Sequence, residues 1–138
     1  MLPPGAKPGL SNLATMYAAY SVGLGPALCV ALLKGLFAGL TRGWTAMLMS
    51  LAGGLASTLA TAALIRFCRS FSLVGVGVAG ALTHNLAQLG AAAILTTPAV
   101  AAYLPWLLLF GALTGTLTGF LLKWALPFLD KLEQRLTR

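Results

Sequence analysis

Apolar residues run along this chain in five stretches, each bounded by glycine, proline or basic residues and each too long for a strand. The longest, Leu73 to Leu95, predicts a helix that crosses a bilayer, because about 20 residues at ~1.5 Å each cover the hydrocarbon core. The same pattern predicts spans at 10–24, 26–40, 44–65 and 106–126. Gly23-Leu24-Gly25-Pro26 ends the first, and Pro26 suits the opening turn of the second. Arg42-Gly43-Trp44 opens the third, which closes at Arg66-Phe67-Cys68-Arg69. Thr96-Thr97-Pro98 ends the fourth, and Tyr103-Leu104-Pro105 leads into the fifth. Residues 1–9 hold three prolines, two glycines and Lys7, which predicts an irregular segment. The apolar run that follows leads to no cleavage site and soluble domain, so the segment reads as a loop rather than part of a signal peptide. At the other end, Phe128, Leu129, Leu132 and Leu136 form one apolar side among Lys131, Arg135 and Arg138. The tail 127–138 is therefore expected to lie along the membrane surface.

Composition sharpens this picture. Of 138 residues 59% are hydrophobic and 8% charged, with a mean hydropathy of +0.91, against about 25% charged in an ordinary soluble domain. The fold class expected is all-α, a polytopic membrane helix bundle in a single domain. The two acids, Asp130 and Glu133, both fall in the last nine residues. Carboxylate pairs for glycoside hydrolysis, Asp-rich magnesium clusters and a Ser-His-Asp relay are thereby excluded from the spans. One histidine and two distant cysteines, Cys29 and Cys68, make no zinc cluster. No catalytic residue, metal ligand or cofactor is expected.

A pI of about 10.1 raises nucleic acid as a partner, but the basic residues flank apolar spans instead of forming a stripe. They read as topology signals. With the C-terminus cytoplasmic, Arg66, Arg69, Lys123, Lys131, Arg135 and Arg138 are inside, and Lys7 and Arg42 are outside. Trp44 and Trp106 then mark the outer interface and Trp124 the inner one. Cys68 lies on the reducing side, where a disulfide with Cys29 is not expected. Five spans with this orientation leave the N-terminus outside, and one preceding helix would resolve that arrangement. A first span is therefore expected to be missing from the chain as it stands.

The candidate chemistry is a set of polar side chains at membrane depth. On one broad helical face stand His84, Asn85 and Gln88, spaced three and four apart. Such groups cost free energy unless they meet a partner, water or a ligand. They are either hydrogen-bonding glue between helices or the lining of a binding site. Lys34, in the middle of the second span, either snorkels to the surface or faces a cavity and awaits an anion. Asn12 adds a further polar group in the first span. Gly53, Gly54, Ala56 and Ser57, then Gly75, Gly77 and Gly80, then Gly111, Gly115 and Gly119 beside Thr114 and Thr118, mark faces where helices approach closely.

Pro4-Gly5-Ala6-Lys7-Pro8-Gly9-Leu10-Ser11-Asn12 resembles a P-G-x-K-x-G-L-x-N segment, and Gly80-Ala81-Leu82-Thr83-His84-Asn85-Leu86-Ala87-Gln88 resembles a G-A-x-x-H-N-x-x-Q helix. Both belong to the family labelled heptaprenyl diphosphate synthase component I, or Gx transporters, which is similar to the substrate-binding S components of energy-coupling-factor (ECF) vitamin transporters. The resemblance implies six helices with both ends cytoplasmic, the first helix being absent before Met1. It also implies a pocket that opens outward, with Lys7 and Asn12 at its mouth and His84, Asn85 and Gln88 within. Residues and resemblance together leave three readings. The first is a substrate-binding subunit in a bacterial inner membrane, taking up a small organic, anionic or carbonyl-rich molecule with a transmembrane coupling subunit and its ATPases. The second is a non-catalytic scaffold that holds a soluble prenyl synthase, or a flavin or quinone electron-transfer partner, at the bilayer. The third is a proton-coupled carrier using His84, for which no acidic relay partner exists.

Overall fold

A computed structural model describes residues 10–137, with side chains from Asn12 onward. The expected N-terminal loop, Lys7 included, and Arg138 lie outside the described residues. Helix α1 covers Leu10–Tyr17 and continues into a π-helical turn, Ala18–Val22. Helices α2 (Leu24–Arg42), α3 (Trp44–Phe67) and α4 (Leu73–Leu95) follow. A 3₁₀ segment, Pro98–Tyr103, then leads into α5, Leu104–Leu136. No strand occurs among the described residues.

The boundaries follow from local chemistry. Gly23 (φ 118°) and Gly43 (φ 92°) carry the chain around its first two corners in a left-handed conformation that side chains other than glycine rarely adopt. The second helix therefore starts at Leu24, two residues before the position expected from Pro26. Pro26 falls inside the first turn, where its missing N–H has no intrahelical acceptor to lose. Ser72 caps α4 by accepting a hydrogen bond from the Gly75 N–H at 3.1 Å. The segment expected as a separate surface tail is instead the last turns of α5. Pro127 removes only the bond its N–H would give to the carbonyl four residues back, and helical geometry resumes on both sides.

Four stretches are long and apolar enough to cross a membrane: Leu24–Arg42, Trp44–Phe67, Leu73–Leu95 and Pro98–Leu136. The chain is a multi-pass membrane protein. The described first helical stretch has 8 α-helical and 5 π-helical residues, about 20 Å in all, which is less than the hydrocarbon thickness. Large apolar side chains such as Leu33, Phe37, Leu40 and Leu113 are exposed on the bundle's outside, as lipid-facing residues must be.

Helix packs on helix in chain order: α2 on α3, α3 on α4, α4 on α5. Among the described residues α2 and α5 do not pack on each other, and α1 bridges them at one end. There Met16 of α1 joins Val76, Leu122 and Leu126 in a small core, with Leu64, Ile65 and Leu73 around it. Small residues set the other seams. A Cβ on Gly77 would lie 2.5 Å from the Gly115 carbonyl oxygen, and one on Gly119 would lie 2.5 Å from Val74 Cα. Thus α4 and α5 touch backbone to backbone. Gly35 meets Leu51, and Gly54 meets Ala31, along the α2–α3 seam. Gly119 is level with the first turn of α4, so α5 continues well past the other helices, and nearly every residue beyond Pro127 is exposed.

Candidate binding site

The interior face of α2 is built from Ala27, Ala31, Gly35 and Ala38, all buried. Lys34 stands in the middle of that helix, beside this face by helical spacing. It is half-buried, and its Nζ donates a hydrogen bond to Asn12 Oδ1 of α1 at 2.9 Å. The ammonium is thus tied to an amide of the short first helix.

On α4, His84 follows the buried Gly77 and Ala81 at spacings of seven and three. Its ring lies against α3 at Gly53, where a Cβ would come within 2.9 Å of His84 Cε1 and 3.0 Å of Nδ1. Only glycine leaves room for the imidazole there. The Gly53 backbone and the Lys34 charge both act on the ring. Even so, Nδ1 is fully buried and makes no hydrogen bond among the described residues. A buried ring nitrogen without a partner is uncommon in a folded protein.

Below Asn12 lies a cavity of about 20 Å³ lined on its polar side by Asn12, Thr15, Ser57, Thr61 and Thr118. That volume suits one water molecule. Two of its hydroxyls already spend their protons on their own helices. Ser57 donates to the Gly54 carbonyl at 3.1 Å, and Thr118 donates to the Thr114 carbonyl at 2.8 Å.

The sequence-predicted set thus divides. Asn12 and Lys34, from two helices, share a hydrogen bond, and the Lys34 charge acts on His84 of a third. Asn85 turns away toward α5, where its Nδ2 donates to the Leu107 carbonyl at 2.8 Å and lies beside Gly111. It has the helix-to-helix role that the glue reading describes. Gln88 is half-buried one turn beyond His84 on the same helix face. Lys7 lies outside the described residues. Gly53, against the His84 ring, and Ser57, Thr61 and Thr118, around the small cavity, were not singled out as site residues. Their signal was the four-residue spacing Gly53-Ser57-Thr61, which reads equally well as close helix packing. Cys29 and Cys68 are both exposed free thiols. Among the described residues no three His, Cys, Asp or Glu side chains gather as a metal site would require.

A protein-family model described as heptaprenyl diphosphate synthase component I matches residues 1–125, which takes in the whole interior site and stops just before Pro127. No curated protein and no solved structure matches the chain.

Proposed function

The chain belongs to the heptaprenyl diphosphate synthase component I family, and from that premise we propose that it is a membrane-embedded, non-catalytic binding subunit for a small organic molecule. The family's name implies a prenyl synthase subunit as partner. A prenyl synthase binds diphosphate through magnesium held by clustered acids, and none precedes Asp130 in this chain. Catalysis on diphosphates therefore falls to another subunit, and this chain's own chemistry is recognition. The observations that carry the reading are the Lys34–Asn12 hydrogen bond between two helices and, on a third, a His84 with a buried ring nitrogen, on which the Lys34 charge acts. Helix glue accounts for Asn85, whose bond to Leu107 is complete, but it does not account for an ammonium that reaches into an apolar bundle from the middle of α2. The arrangement suits a role like that of ECF S components in a bacterial inner membrane. A coupling subunit and ATPases would then complete an uptake system.

A native mass spectrum of the protein in mild detergent, purified from its own cells, tests this. A stoichiometric small molecule is expected, lost in a His84→Ala variant that elutes as the folded protein does. A wild-type protein with no bound molecule would refute it. The scaffold reading has one observation in its favour. Arg66, Phe67, Arg69 and Phe71 are exposed together at the α3–α4 turn, inside the matched region. A spectrum holding a soluble synthase that is lost on Arg66→Ala and Arg69→Ala substitution would favour that role.

A further inference from the structure

We propose that Arg66, Arg69 and Lys123, at the rim of the bundle where α3 turns into α4, hold the headgroups of anionic phospholipid. This stands apart from the interior reading and concerns the outer surface of the bundle.

Helix α3 has 24 residues and α4 has 23, about 35 Å each at ~1.5 Å per residue, against ~30 Å of hydrocarbon. Their ends therefore reach the headgroup layer. A short turn joins Phe67 to Leu73, so the residues between them stay at that level. Helix α5 brings Lys123 to the same place. Gly119 lies against Leu73 and Val74, and Lys123 is one turn further on, about 6 Å along the axis. One apolar core underlies these positions, for Leu64, Ile65 and Leu73 pack around Leu122 and Leu126. Arg66 directly follows Ile65, and Lys123 directly follows Leu122. The cations thus border one core at one end of the molecule.

All three are exposed, and among the described residues no hydrogen bond or ion pair engages them. No acid precedes Asp130, so nothing on α1 to α4 offsets their charge. Further along α5, Asp130 and Glu133 stand among Lys131 and Arg135 and balance them. At the opposite end of the bundle the only cation among the described residues is Arg42. The surplus of positive charge is therefore confined to one rim.

A lipid phosphodiester is the anion that surrounds a membrane protein at this depth. Guanidinium forks match two phosphate oxygens at once, and the lysine adds a point charge. The neighbouring rings fit the same occupant. Phe67 is 79% exposed, Phe71 53% and Trp124 74%, and apolar side chains beside cations suit the boundary between headgroups and acyl chains. An acidic soluble protein would reach the rim from the aqueous side alone, whereas lipid borders it wherever the bundle faces the bilayer.

Native mass spectrometry of the full chain in mild detergent reads this directly. Dioleoyl-phosphatidylglycerol and dioleoyl-phosphatidylcholine, which share acyl chains and differ in net charge, are added in equal amounts. Wild type is expected to retain the anionic lipid at least about tenfold over the zwitterionic one. A cation beside an anionic headgroup strengthens attraction by up to about fivefold. Arg66→Gln, Arg69→Gln and Lys123→Gln should therefore each lower the preference severalfold, and the triple variant should abolish it. Arg66→Lys with Arg69→Lys keeps the charge and should keep most of the preference. Arg42→Gln removes one charge at the opposite end and should leave it unchanged. The single variants decide the matter where the triple variant does not fold. Equal retention of the two lipids by wild type, a preference that survives in all three single variants or in the triple variant, or a loss as large in Arg42→Gln as in Arg66→Gln would each overturn the proposal. If a soluble protein is lost from the triple variant while the lipid preference stands, the rim is a protein-docking surface, and the proposal is likewise overturned.

Discussion

Gly115→Ala adds one methyl group where α4 and α5 have no space for it. Its Cβ would lie 2.6 Å from the Gly77 carbonyl oxygen and 2.6 Å from Val78 Cα, with Gly77 C at 2.9 Å. All three are backbone atoms, so no side chain can rotate out of the way. Relief to an ordinary contact needs roughly 1 Å of separation between the helices, and overpacking of that kind costs about 1–3 kcal/mol. The same substitution at Gly111 meets mainly the Asn85 Nδ2, at 2.7 Å, which can swing aside at the expense of its bond to Leu107. That loss is about 0.5–1.5 kcal/mol. Gly90 has nothing within 4 Å of its Cβ position, so alanine there should be neutral or stabilise the helix by up to about 1 kcal/mol. Unfolding of the three variants in one mild detergent, followed by loss of helical circular dichroism against added denaturing detergent, should rank Gly115→Ala lowest, Gly111→Ala next and Gly90→Ala at or above wild type. A Gly115 variant as stable as the Gly90 variant would refute the claim that these backbones touch.

Three further outcomes are expected. Asn85→Ala should lower stability by about 1 kcal/mol, read in the same unfolding series, while leaving the ring-¹⁵N NMR signals of His84 near their wild-type positions, because its bond goes to α5 and not into the site. Gly53→Ala should displace the imidazole and move those ring signals markedly while the protein still elutes as the wild type does; unmoved signals would show that the ring does not rest on Gly53. In a Cys29→Ser background, Cys68 should react with a membrane-impermeant maleimide in inverted vesicles and not in intact cells, and the reverse pattern would invert the orientation argued from the basic residues.

The all-helical, multi-pass character was legible because it depends on long apolar runs, which no soluble fold of this size needs. The span Leu73–Leu95 was placed to the residue, since Ser72 is a good cap and Thr96 ends the run at a natural stop. The second helix was harder to place. Pro26 and Gly23 both signal a boundary, and the backbone turns at the glycine, which adopts the positive φ the corner needs, while the proline is tolerated within the first turn. The tail was misjudged for the related reason that one proline deletes one hydrogen bond and does not by itself end a long helix. Asn12, Lys34 and His84 were visible as polar residues in apolar spans, but nothing in their spacing says that the first two share a bond across α1 and α2. Asn85 sits next to His84 in sequence and about 100° away around the helix. Which of the two faces the interior was decided by the neighbours that α3 and α5 supply.

The way α1 is held has a consequence for how the chain is made. Met16 settles against Leu122 and Leu126, more than a hundred positions later in the chain, and α1 also rests on α2. During synthesis the α2–α3 and α3–α4 hairpins can pair as soon as each emerges, because their contacts are between neighbours in sequence. Helix α1 has no complete seat until α5 has been inserted. A ribosome stalled within α5, or a frameshift there, would release a chain with most of its helices paired and its Asn12 side unsupported. Quality control in the membrane could recognise such a chain by the polar residues it leaves facing lipid.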